Sequence, residues 1–188
     1  MSRHRPSRPV FRLPLSGPLL VCCLLCAPSP AGAASGDWVV GLEPSYAYIV
    51  LHGTGEPDGG GSGLFVHYGL SDAVAIQLSG LWTVHDIEGT EENEGGLYHV
   101  VNVAAGVRYA FDVLKVNPAL EVAAGILYLR FHGDSAVNLG LLMGICVDWW
   151  ALDWLAVGAA FHYHAFLSNP NEYPVYFDAG PRVAFRWR

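Results

Sequence analysis

Charge is scarce in this chain. Of its 188 residues only 14% are Asp, Glu, Lys or Arg, against roughly a quarter in ordinary soluble domains. Basic residues are the scarcer kind, 10 Lys and Arg against 17 Asp and Glu. A net charge of -7 supplies no basic stripe, so binding to nucleic acid is not expected. Cysteine is rarer still. Three of the four, Cys22, Cys23 and Cys26, fall within the first 34 residues, and Cys146 stands alone in the rest. That excludes an intrachain disulfide framework. No Cys/His cluster has metal-ligand spacing, and no cofactor is expected. A long apolar helix is missing too, because Asp148 and Asp153 interrupt the most apolar stretch and a helical span takes about 20 residues. What the chain has is apolar and aromatic mass, 52% and 12%, too much for a disordered acidic segment.

The first 34 residues read as a leader rather than as fold. Arg3, Arg5, Arg8 and Arg12 precede an apolar centre, Leu13 to Ala27, and Ala31-Gly32-Ala33 offers a small-residue cleavage site. A basic head, a short apolar centre and such an end make a secretory signal peptide. The expected division is therefore 1–34, a signal peptide that is removed, and 35–188, a single domain. Export leaves 17 acidic residues against 6 basic ones, and a core or a lipid environment must stabilise a domain without disulfides.

Along that domain, apolar residues recur at every second position, the period of a strand. Val74, Ile76, Leu78, Trp82 and Val84 alternate with Ala75, Gln77, Ser79, Leu81 and Thr83. Val101–Phe111, Val137–Trp149 and Val175–Trp187 repeat the pattern, and Trp38–Leu51, Gly63–Leu70, Pro118–Phe131 and Trp154–Phe166 follow it less regularly. Breaks near Ser71-Asp72, Asp112–Val116 and Leu152-Asp153 are short. Those at His52–Gly61, Glu88–Leu97, Gly133–Ser135 and Ser168–Pro174 are mostly longer and rich in Gly, Pro or acid. None holds a crossover helix, so neighbouring strands are antiparallel. The fold class is all-β, an eight-stranded antiparallel up-and-down barrel.

Alternation does not say which face is inside. A soluble lipocalin-like binding barrel would turn its apolar face inward, and Gly36-Asp37-Trp38 matches the G-x-W of that family. The opposite orientation has more in its favour. The non-apolar face is mainly Gly and Ala with scattered charges, which suits a narrow lumen. Trp82, Tyr109, Phe111, Trp149, Phe185 and Trp187 lie on the apolar face near strand ends, where aromatic girdles meet a bilayer. Strands of about 10 residues fit a tilted crossing. The expected barrel is transmembrane.

With its leader, Tyr68-Gly69-Leu70-Ser71-Asp72 running into one strand, Val107-Arg108-Tyr109-Ala110-Phe111-Asp112 closing another, and an aromatic last strand, the chain resembles the OmpA/OmpW-like superfamily. These are small eight-stranded outer-membrane β-barrel proteins of Gram-negative bacteria. The resemblance implies an outer-membrane location and contact with outer-membrane lipids and lipopolysaccharide. It also implies recognition by the barrel assembly machinery through the last strand, Phe185-Arg186-Trp187-Arg188.

In this orientation Glu43, Arg108, Glu121, Asp178, Arg182 and Arg186 point into the lumen. A turn centred near residue 114 or 115 sets Arg108 across from Glu121, and barrel closure brings Glu43 to Arg182. Eight strands leave an interior just wide enough for side chains, so these charges read as a paired plug in preference to a constriction that selects solutes. His162 and His164 share the inward face; a hairpin centre near residue 172 would set them opposite Arg182 and Gly180, close to Asp178. A His–Asp pair in a lipid A deacylase-like enzyme also needs a nucleophilic serine, and Ser168 sits at a loop, so no enzyme is expected. Asp86, Glu88, Glu91, Glu92 and Glu94 form an acidic loop, read as solvated, with divalent-cation capture as the sharper alternative. Pro44 and Pro181 fall on the two strands that close the barrel and mark a weak lateral seam. The function these features indicate is a structural element, a surface-interaction scaffold or a conduit for a small apolar solute.

Overall fold

The computed structural model describes residues 35–50, 58–87, 95–111, 116–168 and 175–188. The leader and four acids of the loop, Glu88, Glu91, Glu92 and Glu94, lie outside them. Eight strands are present: β1 (Trp38–Val50), β2 (Asp58–Gly69), β3 (Val74–Ile87), β4 (Gly96–Ala110), β5 (Val116–Phe131), β6 (Asp134–Leu152), β7 (Leu155–Phe166) and β8 (Val175–Trp187). Each pairs antiparallel with the next, and β8 pairs with β1 to close the barrel.

Most strands run somewhat beyond the limits read from sequence, β4 for example beginning at Gly96 instead of Val101, and three of the differences have a clear local reason. β2 begins at Asp58 instead of Gly63, because Gly59, Gly60 and Gly61 pair with His85, Val84 and Thr83 through backbone alone. A glycine run carries no alternation to read. β6 begins at Asp134, so the break expected at Gly133–Ser135 is a two-residue turn of His132 (φ 49°) and Gly133 (φ 96°). Positive φ at both central residues matches the right-handed twist of a tight hairpin. β7 begins at Leu155 rather than Trp154, after Trp150 and Leu152 pair with Ala156 and Leu155 and so shift the register by one residue.

The alternation resolves as expected, with the apolar face outward. Leu64 and Val137 are 59% and 65% exposed, whereas Thr83, His85 and Asn138 are fully buried. That is the inverse of a water-soluble barrel, and it excludes the lipocalin-like orientation. Outward aromatics gather at both ends: Trp38 on Tyr68 and Trp154 on Phe185 at the short-turn end, Tyr48 on Phe177 towards the loops. Such belts sit where hydrocarbon meets headgroups.

The interior is stratified. Towards the loops Ile49, Ile87, Val100, Leu127, Leu129, Phe166 and the ring of Tyr176 pack together, with Thr83 joining His85 and the Tyr176 hydroxyl among them. At the turn end Val39, Phe65, Trp150, Ala156 and Ala184 form a second apolar layer. Charged side chains fill the middle.

So narrow a barrel needs close strand approach on its inner face. At Gly125 in β5 an added Cβ would collide with Val103 O and the Cα of Ala104 in β4. Outward-facing Gly60 has only Ser45 O nearby, at 3.8 Å from such a Cβ. Gly125→Val is therefore expected to lower stability by about 1–3 kcal/mol and Gly60→Val to change it by less than about 0.5 kcal/mol, measured as urea unfolding midpoints of the folded barrel in detergent. Equal effects at the two positions would refute the close-approach argument.

Candidate functional site: the charged layer and the closing seam

All eight strands contribute to the middle layer because each places one or more polar residues on its inward period-2 positions, β3 through Gln77 and Ser79. Arg108 and Glu121 are direct partners across β4 and β5, with Arg108 Nε 3.4 Å from Glu121 Oε1. Arg182 on β8 lies 3.1 Å from Glu43 on β1, 3.3 Å from Glu121 and 3.4 Å from Asp148. Its guanidinium stacks 4.0 Å above the ring of Phe65. Glu121 is the hub, also 3.3 Å from His162 Nε2 and 2.9 Å from Cys146 Sγ. Asp178 takes the other side of His162 at 3.2 Å and His164 Nε2 at 2.7 Å, and His164 Nδ1 meets Asn102 at 3.1 Å.

Five of the six expected lumen charges therefore meet in one network: Glu43, Arg108, Glu121, Asp178 and Arg182. Arg186 does not join it. Its guanidinium lies over Trp150, donates to Asp153 O and stands 3.9 Å from Asp37, in the turn-end layer. Asp148 was missed as a member, although it shares the inward alternation with Cys146; in sequence it stood out only as a break in an apolar run. Its Oδ2 accepts a hydrogen bond from Arg108 Nη2 at 2.5 Å. His67, 3.9 Å from Glu121, was missed because β2 alternates poorly.

The histidine pairing needs correction. His162 faces Asp178 and His164 faces Tyr176, where the sequence reading set them against Arg182 and Gly180. The hairpin centres on residue 170 rather than 172, so every partner moves four residues along β8. Ser168 Oγ accepts a hydrogen bond from Leu139 N at an exposed position, apart from the buried histidines. Asp86 lies at the end of β3 with its side chain exposed.

Little space remains in this layer. The cavity bounded by Glu43, Ser79, Asn102, His162 and Asp178 measures about 20 Å³, room for a single water molecule. With apolar layers above and below, the axis is closed.

The closing seam has a different weakness. β1 and β8 hold one register from Trp38↔Trp187 to Leu42↔Val183, and resume it from Tyr46↔Ala179 to Val50↔Val175. Between these runs, Glu43 stands opposite Arg182, Pro44 opposite Pro181 and Ser45 opposite Gly180, with no ladder pairing. The prolines do sit at one height. A Cβ on Gly180 would strike Pro44 O, so Pro44 directs its backbone groups at β8. Arg186 N donates to Trp154 O on the β7 side, and alternation then turns Pro181, five residues earlier, towards β1. The two prolines thus occupy a hydrogen-bonding position of the ladder, and neither has an N–H to give. The seam lacks two bonds there, worth about 0.5–1.5 kcal/mol each.

Inverted faces, a closed eight-strand meander and a self-paired charged lumen define a small eight-stranded outer-membrane-type barrel. No protein-family model matches the chain, and no curated protein matches it. Solved structures do match in fold. Neisserial surface protein A aligns with a TM-score of 0.57 at 13% identity, over 81% of this chain and 98% of that one. The outer membrane protein OprG from Pseudomonas aeruginosa aligns at 0.56 and 12%, over 84% and 98%. Ail, the attachment invasion locus protein of Yersinia pestis, solved with the heparin analogue sucrose octasulfate, aligns at 0.55 and 13%, over 81% and 99%. The chain shares the fold of these outer-membrane barrels.

Removing Arg108 leaves Asp148 and Glu121 buried with one cation fewer between them. Arg108→Ala is expected to cost about 3–5 kcal/mol. The double variant with Asp148→Ala should be less destabilised than the sum of the singles by at least about 1 kcal/mol. Urea unfolding of the four proteins in one detergent checks this, and strict additivity would show that the two residues do not interact.

Proposed function

We propose that this chain is an integral outer-membrane barrel that passes small apolar solutes sideways into the bilayer through the β1–β8 seam, without catalysing a reaction on them. The observation that carries the reading is the facing pair Pro44 and Pro181 in a hydrogen-bonding position of the closing ladder. It supports a lateral route in a barrel whose axis is filled.

Other features agree. The loop-end half of the lumen carries no ion pair among the described residues and holds an apolar cluster beside Thr83 and His85; it would receive an apolar molecule more readily than the charged layer beneath. The seam gap lies level with that layer, between outward Leu42 and Tyr46, 52% and 51% exposed. A molecule stopped at the charges has hydrocarbon beside it. The serine that a catalytic reading of the His–Asp pair would call on, Ser168, is exposed and bonded to Leu139 N, apart from His162 and His164, which favours a structural role for the histidines. On this reading the leader, residues 1–34, exports the chain, outer-membrane lipids and lipopolysaccharide surround it, and the outward aromatics Phe185 and Trp187 of β8 address it to the assembly machinery.

A disulfide across the seam tests the route. Leu42 and Val183 are direct partners at the edge of the gap, so Leu42→Cys with Val183→Cys, in a Cys146→Ser background, locks the two strands. Cells producing this variant should take up naphthalene several-fold more slowly when the disulfide is oxidised than after reduction. The wild type should not respond to reductant. Equal uptake in oxidised and reduced cells would exclude the lateral route.

A further inference from the structure

We infer that the Glu43–Arg182 ion pair is the latch of the β1–β8 seam, holding the barrel shut from inside at the place where the backbone ladder cannot. The inference rests on the lateral reading above and names what controls it. Glu43 and Arg182 stand opposite each other beside the two prolines, one on each closing strand, with Glu43 Oε1 3.1 Å from Arg182 Nε. Theirs is the ion pair that spans the gap among the described residues.

The partners are unequal. Arg182 is 1% exposed and held across the lumen by Glu121 on β5 and Asp148 on β6, with Phe65 of β2 beneath it. Glu43 is 13% exposed, the most open of the network's ion-paired acids, and has Arg182 as its one ion-pair partner among the described residues. If the pair parts, Arg182 keeps two carboxylates, and the charge left unpaired is that of Glu43, the more exposed partner, so the cost of opening falls on β1. Glu43 moves with β1. The other ion pairs of the layer lack this asymmetry across a strand gap.

A second observation lies on the inner lip of the gap. Glu43 Oε1 and Ser45 Oγ are both buried without a hydrogen-bond partner. Glu43 meets Arg182 at ion-pair distance but out of hydrogen-bond alignment, and Ser45 faces Gly180, which has no side chain to answer it. Such atoms occur elsewhere in the charged layer, at Arg108 Nε, Asp148 Oδ1 and Arg182 Nε; what sets Glu43 and Ser45 apart is that they stand where the backbone ladder is missing as well. The latch supplies attraction where the ladder supplies none, and its release frees the three-residue gap without disturbing the rest of the charged layer.

Amide hydrogen exchange of the full barrel in lipid nanodiscs tests this. The N–H groups of Leu42, Tyr46, Ala179 and Val183 point into the seam on either side of the gap. Glu43→Gln is expected to speed exchange at these four by about tenfold or more, the scale of losing one charge-assisted contact, with the β4–β5 ladder unchanged. Introducing Pro44→Val with Pro181→Val restores both donors, and in that background Glu43→Gln should have no effect on the four amides. Wild-type exchange at the four amides in Glu43→Gln, or acceleration of the β4–β5 ladder in step with them, would overturn the latch. Should Glu43→Gln fail to fold, Glu43→Asp, one methylene shorter, must show the same acceleration in smaller degree, and its absence overturns the latch equally. The two readings fail separately: naphthalene uptake indifferent to the disulfide lock removes the lateral route, while exchange indifferent to Glu43 removes the latch.

Discussion

A lumen only one side chain deep, with charges in it, is the constraint on which the rest of this barrel depends. Four carboxylates, Glu43, Glu121, Asp148 and Asp178, meet two guanidinium groups, Arg108 and Arg182, and three imidazoles within one layer. In so dry a place each charge must have its opposite beside it. The register of every strand follows, because a slip by one residue would turn the charges into lipid and the apolar face into the lumen. Backbone bonds are interchangeable along a strand, whereas the ion network is satisfied in one register only.

The same narrowness explains where the barrel is thin. Inward positions near strand crossings are glycine or alanine, as at Gly125 against Ala104, so closure comes from backbone contact where side chains do not fit. At the β1–β8 seam this economy goes further. Pro44 and Pro181 remove ladder bonds that a soluble sheet keeps at every interior position, and the nearest compensation is electrostatic and inside. On the proposed lateral reading, an apolar molecule halted by the charged floor meets this gap in the ladder at the same height.

Much of this was legible in sequence because a strand's period carries its orientation with it. The inward set was readable from alternation, and a short turn of known length made Arg108 and Glu121 partners. Counting residues inward from the two ends of the domain put Glu43 with Arg182 and Pro44 with Pro181. Reading failed where that information was missing. Gly59–Gly61 show no period, so nothing in the sequence marks residues 58–62 as strand. The β7–β8 hairpin has no tight-turn signature, and an error of two residues in its centre displaced the partners of His162 and His164 by four. Asp148 looked like an interruption because a buried carboxylate has meaning only beside its cation, and Arg108 and Arg182 reach it from two other strands.

The central claim is that the charged layer closes the axis as an ion-paired plug and does not conduct. Electrical recording of the wild-type protein in a planar lipid bilayer bathed in potassium chloride tests it most directly. A barrel plugged in this way carries no steady current. Long-lived ohmic openings of the folded wild-type barrel would contradict the account.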